Sequence, residues 1–174
     1  MKNVSQLFIL LMAVGLLAVS CKSNKEVTKA GSSSESVKDQ LSNKPQLLAS
    51  IERTACYGQC PMYKARFMDN GEVIYVGRRF VEKIGTYKGL ISSEEIRAIK
   101  DNAKKYEYFS LDSLYPTPIT DFPSCLTEVR LDGKSKKVIN RRSPPENLRA
   151  FEKYLDGLLE EVTLEKVSDE TNYD

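Results

Sequence analysis

Two cysteines four positions apart, Cys56 and Cys60, stand in the stretch CYGQCPM, with Met62 two residues further on and a strand-like run beginning there. Thiols at this spacing can close a disulfide, hold a soft metal ion or exchange with another disulfide. Four extended residues would separate the two Cα atoms by roughly 13 Å, whereas a disulfide tolerates less than about 7 Å. Pairing therefore demands a turn, which Gly58 permits. A ring this small restricts the unfolded chain by only about 2 kcal/mol, against about 4.4 kcal/mol for a loop closed between Cys56 and Cys125. The expected pair is Cys56 with Cys60, fixing local geometry at the head of a hairpin, with Cys125 a small buried hydrophobe on another strand. Metal and redox chemistry stay open as alternatives, because Cu(I) favours thiolate and thioether ligands and Cys56, Cys60 and Met62 together offer such a set.

The composition narrows the remaining chemistry. Histidine is absent from all 174 residues, which removes the commonest general base, metal ligand and pH switch. Without it there is no Ser-His-Asp or Cys-His arrangement, and no enzyme activity or cofactor is expected. The spacing C-x-x-x-C-P resembles the metal-binding loop of copper chaperones that serve cytochrome oxidase assembly, but the distal histidine and the parallel βαβ elements of those proteins are missing here. Lys and Arg total 26 against 24 acidic residues, so no global field argues for nucleic acid as partner. The basic run KSKKVINRR, with Lys134, Lys136, Lys137, Arg141 and Arg142, could meet an anionic envelope polymer or simply protect a strand edge. The loop YPTPITDFP is stiffened by three prolines and carries Tyr115, Asp121 and Phe122, which makes it the expected partner-binding surface, for an envelope protein or polymer. Arg78 and Arg79 are further candidates for holding a carboxylate.

The elements that must position these residues are legible from periodicity. In MYKARFMD-NG-EVIYVGRRF, Asn70-Gly71 is a strong signal for a two-residue type I′ hairpin turn. That turn would set Phe67 opposite Ile74 and Ala65 opposite Val76, with Phe67 and Ile74 in the core. Ile84 to Ile91 reads as a further strand. Ser92 with Glu95 forms a capping box ahead of Ile96, Ile99, Ala103 and Tyr106, an amphipathic helix. A second hairpin turns at Asp132-Gly133, with Glu128 across from Lys137. Ser143-Pro144-Pro145-Glu146 reads as another capping box, leading Leu148, Phe151, Leu155, Leu158 and Leu159 along one helical face. The expected fold class is α+β, an antiparallel sheet built from hairpins with two helices packed on one face, in the order β-β-β-(β)-α-β-β-α.

The N-terminus supplies an address. The apolar run from Leu7 to Val19 follows Lys2 and is shorter than the roughly 20 residues needed to span a bilayer. It ends in LLAVSC, which resembles the lipobox of bacterial lipoproteins. The resemblance implies a signal peptide over 1–20, cleavage after Ser20 and lipidation of Cys21 by acyl chains such as palmitate, hence a membrane-anchored protein of the bacterial cell envelope. Residues 21–46, rich in serine and lysine and lacking aromatics, read as a flexible tether. Residues 47–162 read as the single folded domain, and 163–174 as a disordered charged tail.

RTACYGQCPMY, the NG hairpin with its VGRRF continuation, YFSLDSLY and TDFPSCLTEVRL together resemble an uncharacterised family of bacterial envelope lipoproteins, the domain of unknown function numbered 6438, over roughly residues 47–161. The resemblance implies a domain boundary and an envelope location. It carries no activity, cofactor or site, so the expected function is that of a non-catalytic binding module, with a thiol-based redox or copper-handling protein as the alternative.

Overall fold

Strand β1 (Leu47–Arg53) buries Leu48, Ala49, Ser50 and Ile51 in succession, and a strand covered on both faces belongs in the middle of a sheet. The computed structural model, which describes residues 44–172, places it there. Its neighbours are β2 (Met62–Met68) and β6 (Cys125–Leu131), followed outward by β3 (Glu72–Arg79), β4 (Gly85–Leu90) and β8 (Glu165–Ser168) on one side, and by β7 (Lys134–Asn140) and β5 (Leu114–Tyr115) on the other. All pairs are antiparallel except β5 with β7. Two helices, α1 (Ser93–Lys105) and α2 (Glu146–Glu161), share one core with the sheet: Ile99 and Ala103 from α1, and Leu148, Phe151 and Leu155 from α2, are all fully buried with Ile51, Phe67 and Val73. This is the expected α+β arrangement. The segments expected to be signal peptide, lipidated Cys21 and tether up to residue 43 lie outside the described residues, among which no helix is long and apolar enough to cross a membrane.

Helix α1 begins as its sequence predicts. The Ser92 hydroxyl accepts from the Glu95 amide at 3.2 Å and the Glu95 carboxylate accepts from the Ser92 amide at 2.6 Å, and these bonds hold the Glu95 pKa below its ordinary value. Helix α2 departs from expectation. Pro145 is its N-cap and makes no side-chain capping bond, while Ser143 sits at a left-handed φ of 54°. Pro144 would be the first helical residue after a Ser143 cap, but it stands before a second proline, which pushes it to extended backbone, so the helix starts at Glu146 and the capping box expected at Ser143 does not form.

The first hairpin also departs from expectation. Phe67 faces Val73, not Ile74, and Ala65 faces Tyr75. The loop has three residues, with Gly71 at φ 90° and its amide donating to Met68 O at 3.1 Å, the pattern of a type I turn closed by a glycine bulge. The flanking chain decides this. Asp69 exchanges bonds with Gln46, amide to carbonyl at 2.9 Å and carboxylate to amide at 2.8 Å, while the Ile91 amide donates to Gly71 O at 2.9 Å. Asp69 is thus drawn out of the hairpin to extend the pairing with β1. Ile74 is buried, but on the sheet face opposite the helices, between Arg66 and Lys88. The second hairpin has the I′ geometry instead, with Asp132 at φ 52°, Gly133 at φ 73°, and Glu128 across from Lys137 as expected. The carboxylate of Glu128, however, pairs with Arg130 at 2.8 Å.

A third correction concerns the C-terminal tail. Residues 165–168 are a strand, β8, paired to β4. Glycine makes the approach possible: a Cβ at Gly89 would stand 2.6 Å from both Thr163 O and Val162 Cγ1. The Thr86 hydroxyl, donating to Glu170 O at 2.7 Å, extends the contact beyond the strand.

Candidate functional site at the loop pole of the sheet

Strand directions gather the chain's polar anomalies at one end of the sheet. Arg53 closes β1 and pairs with Tyr63 on β2 and Cys125 on β6; Cys125 pairs in turn with Asn140 on β7, and Tyr63 with Gly77 on β3. The row Asn140, Cys125, Arg53, Tyr63 therefore runs straight across the helix-facing side at this pole. Over it lie Glu152 and Asp156, one turn apart on α2. Asp156 takes the Arg53 guanidinium with one carboxylate oxygen and accepts from the Tyr63 hydroxyl with the other. Asn140 Nδ2 donates to both oxygens of Glu152, at 2.9 and 3.1 Å.

This seam is partly desolvated, its Arg53 and Asp156 side chains 32% and 26% exposed. Burial opposes the Arg53 charge, yet the electrostatic influence of Cys125 and the bonded Asp156 outweighs it and raises the arginine pKa above its ordinary value. Burial, reinforced by the bond to Asp156, pushes the Tyr63 phenol up. Tyr75, stacked on Tyr63 with ring centroids 5.7 Å apart, is pushed up to about 12 by burial and by Tyr87. Burial likewise raises Glu152 above the usual carboxylate range and raises the Cys125 thiol, which is only 4% exposed. At neutral pH that thiol stays protonated and is a poor nucleophile.

Two cavities open on either side of Arg53 and Pro61. One, of about 490 Å³, lies between α2 and the β3–β4 turn, where Tyr63, Tyr75, Phe80, Val81, Asp156 and Leu159 line it. The other, of about 280 Å³, is lined by Thr54, Cys60, Ser124, Cys125, Asn140 and Arg141. Between them stands the loop of the opening motif. Cys56 and Cys60 are joined, with Cα atoms 5.7 Å apart, and the Gly58 amide lies 3.3 Å from Cys56 Sγ. Tyr57 at the loop tip is 93% exposed. Among the described residues no cluster of three His, Cys, Asp or Glu side chains could hold a metal ion, and with Cys56 and Cys60 paired, the thiolates a Cys56, Cys60, Met62 copper set would use exist only after reduction.

The other residues singled out from sequence take their places around this pole. Tyr115 is half-buried, and its hydroxyl accepts from the Asp112 amide at 3.1 Å. Phe122 lies under the Arg142 guanidinium, 5.1 Å from ring centroid to Cζ, and Asp121 is exposed, accepting from its neighbour Thr120 at 3.3 Å. Arg141 ties the same loop down through Thr120 O at 3.0 Å. Arg78 is committed to Glu52 at 2.9 Å on the far sheet face, whereas Arg79 lies over Phe80, 5.1 Å from the ring centroid. Sequence reading missed Arg53, Tyr63, Asn140, Glu152 and Asp156. One signal was available: Glu152 follows Leu148 by four residues and so interrupts the apolar stripe of α2 with an acid.

Sheet, helical cover and stapled loop define the class, a single α+β domain with a loop-built pole bearing a partly desolvated charge seam. The chain belongs to the family described as a domain of unknown function, DUF6438, whose sequence profile matches residues 47–159. No curated protein matches it.

Proposed function

We propose that this is a lipid-anchored protein of the bacterial cell envelope, held to the membrane through Cys21, whose domain is a non-catalytic binding module working through the loop pole. One observation carries the binding reading. Of the eight large apolar side chains exposed among the described residues, five, Tyr57, Phe80, Ile84, Ile119 and Phe122, stand on loops of this pole, and Arg79 and Arg142 stack on two of them. Exposed aromatics with guanidinium partners are the side chains that dominate protein interfaces. The chain enters the domain at the opposite end, where Gln46 meets Asp69 beside the β2–β3 turn. The test is a photo-crosslinking residue placed at Tyr57 or, as control, at Leu90 on the opposite end, in cells. A discrete adduct formed only from position 57 supports the reading; equal labelling from both positions, or none, overturns it.

One observation favours a second reading, a thiol-based redox protein: Cys60 and the free Cys125 line the same cavity. Alkylation of the native protein without reductant, followed by intact mass measurement, separates the two. Protection of Cys56 and Cys60 fits a structural staple, whereas rapid modification of either, or uptake of one Cu(I) per chain, would establish the redox or copper reading instead.

A further inference from the structure

Strand β4 lies inside the residues that the family profile matches, whereas β8, which covers its outer edge, lies beyond them at 165–168. The cover is thin. Glu165, Lys166 and Val167 are exposed, and the pairing consists of Thr86 with Ser168, Tyr87 with Lys166 and Lys88 with Glu165, broken by a register shift after Thr86. Beyond Val162, Leu164 is the one apolar side chain of the described segment that packs on the core; Val167 is 57% exposed. A strand with so few buried side chains opens locally, at a free energy below that of global unfolding.

Main chain holds this segment. An added Cβ would stand 2.5 Å from Ser168 O at Gly85 and 2.6 Å from Thr163 O at Gly89, so the missing side chains let the neighbouring backbone come close. Further along, the Thr86 hydroxyl donates to Glu170 O at 2.7 Å and Arg78 Nε to Thr171 O at 3.4 Å. At all four places the segment presents a carbonyl oxygen, which every residue carries. Its side chains add two features. Leu164 lines the cavity of about 490 Å³, and the Lys166 ammonium, paired with Asp169 of the same segment, stands 6.0 Å from the Tyr87 ring centroid.

We infer that the outer edge of β4 is a strand-accepting site, filled in this chain by its own C-terminal segment and able to exchange it for an extended segment of another protein. That partner segment carries an apolar residue at the place of Leu164 and a cation two positions on. Main-chain bonds supplemented by a few side-chain positions are how exposed sheet edges take peptides. The resident segment acts as a placeholder, because an uncovered edge is a template for uncontrolled pairing. This surface runs along β4 rather than over the loop tips, so its use stands or falls independently of the Tyr57 crosslink.

The experiment uses the full chain in detergent, carrying Leu164→Ser to loosen the resident segment, and three fluorescent peptides. The first is the chain's own 162–172, the second adds Glu165→Thr and Val167→Thr, and the third adds Lys166→Pro and Val167→Pro. Successive strand amides point to opposite sides, so the third peptide loses one that faces β4. The first two should bind within about threefold of each other and the third about tenfold or more weakly. The unaltered chain should bind the first peptide about tenfold or more weakly than the variant, because its resident segment competes at an effective concentration of about 1 mM. A second measurement needs no variant: on the unaltered chain, the first peptide at millimolar concentration should speed hydrogen exchange of the 165–168 amides and leave those of β4 protected. No binding of the first peptide at millimolar concentration, equal binding of the proline peptide, or equal binding by variant and unaltered chain overturns the site. A dimer of the unaltered chain that Leu164→Ser dissolves would assign the edge to the tail of a second copy and overturn the exchange with another protein.

Discussion

At the scale of single residues, the buried charges of the seam decide how this pole responds to mutation and pH. Asp156 alone neutralises Arg53 and receives the Tyr63 hydroxyl. Asp156→Asn should therefore cost about 2 kcal/mol in denaturant unfolding, because it leaves a partly buried guanidinium without its anion. Tyr63→Phe, which removes only one donor from a carboxylate still paired with Arg53, should cost less. Glu152 gives the pH dependence. Burial raises its folded-state pKa above the ordinary carboxylate value, so the folded state binds its proton more tightly than the unfolded chain does. Its stabilising contribution is complete below the ordinary carboxylate range and is lost as pH rises through the raised folded value. Glu152→Gln keeps an acceptor for Asn140 Nδ2 and removes the titration. Its stability curve should be flatter across that window than the parent's, and unchanged steepness would show that other carboxyls dominate.

At the scale of elements, β8 is held by a close approach and the stapled loop by a covalent ring. The returning chain passes 162–163 where Gly89 has no side chain. Gly89→Val should overpack this crossing, cost about 1 to 3 kcal/mol, and remove hydrogen-exchange protection from the amides of 165–168, while those of β1 and β2 stay protected. The Cys56–Cys60 ring closes too short a loop to matter greatly for global stability. Replacing both cysteines by serine should lower unfolding free energy by about 2 kcal/mol at most. The larger effect should be local, a new chymotryptic cut after Tyr57, which the ring now holds at the tip of a five-residue loop.

At the scale of the whole molecule, the arrangement has a direction. The chain enters beside the β2–β3 turn, and five of the eight large apolar side chains exposed among the described residues stand at the other end of a sheet eight strands wide. If Cys21 carries acyl chains, Cys21→Ser should release the protein from the membrane fraction into the soluble one, with the mass of the membrane-extracted parent exceeding the cleaved polypeptide by the lipid. Unaltered partition of the variant would instead assign membrane retention to another part of the chain.

Local chemistry determined much of this protein. Alternation and helical period marked both hairpins and both helices, Ser92 with Glu95 marked the start of α1, and the proximity of Cys56 to Cys60 marked the pair that forms. Each of these depends on residues a few positions apart, where spacing translates directly into geometry. The tertiary structure decided what depends on distant partners. Asn70-Gly71 has the residues of a type I′ turn, yet the bonds from Asp69 to Gln46 and from Ile91 to Gly71 impose a three-residue loop and shift the register by one. The charged tail has too little apolar surface to fold alone, yet it pairs as β8 because the sheet already offers an open edge floored by glycine. Likewise Arg53 and Asp156, a hundred residues apart, meet only because β1 ends beneath α2. No local rule links two such positions, since the free energy that joins them is that of burying both in the same place.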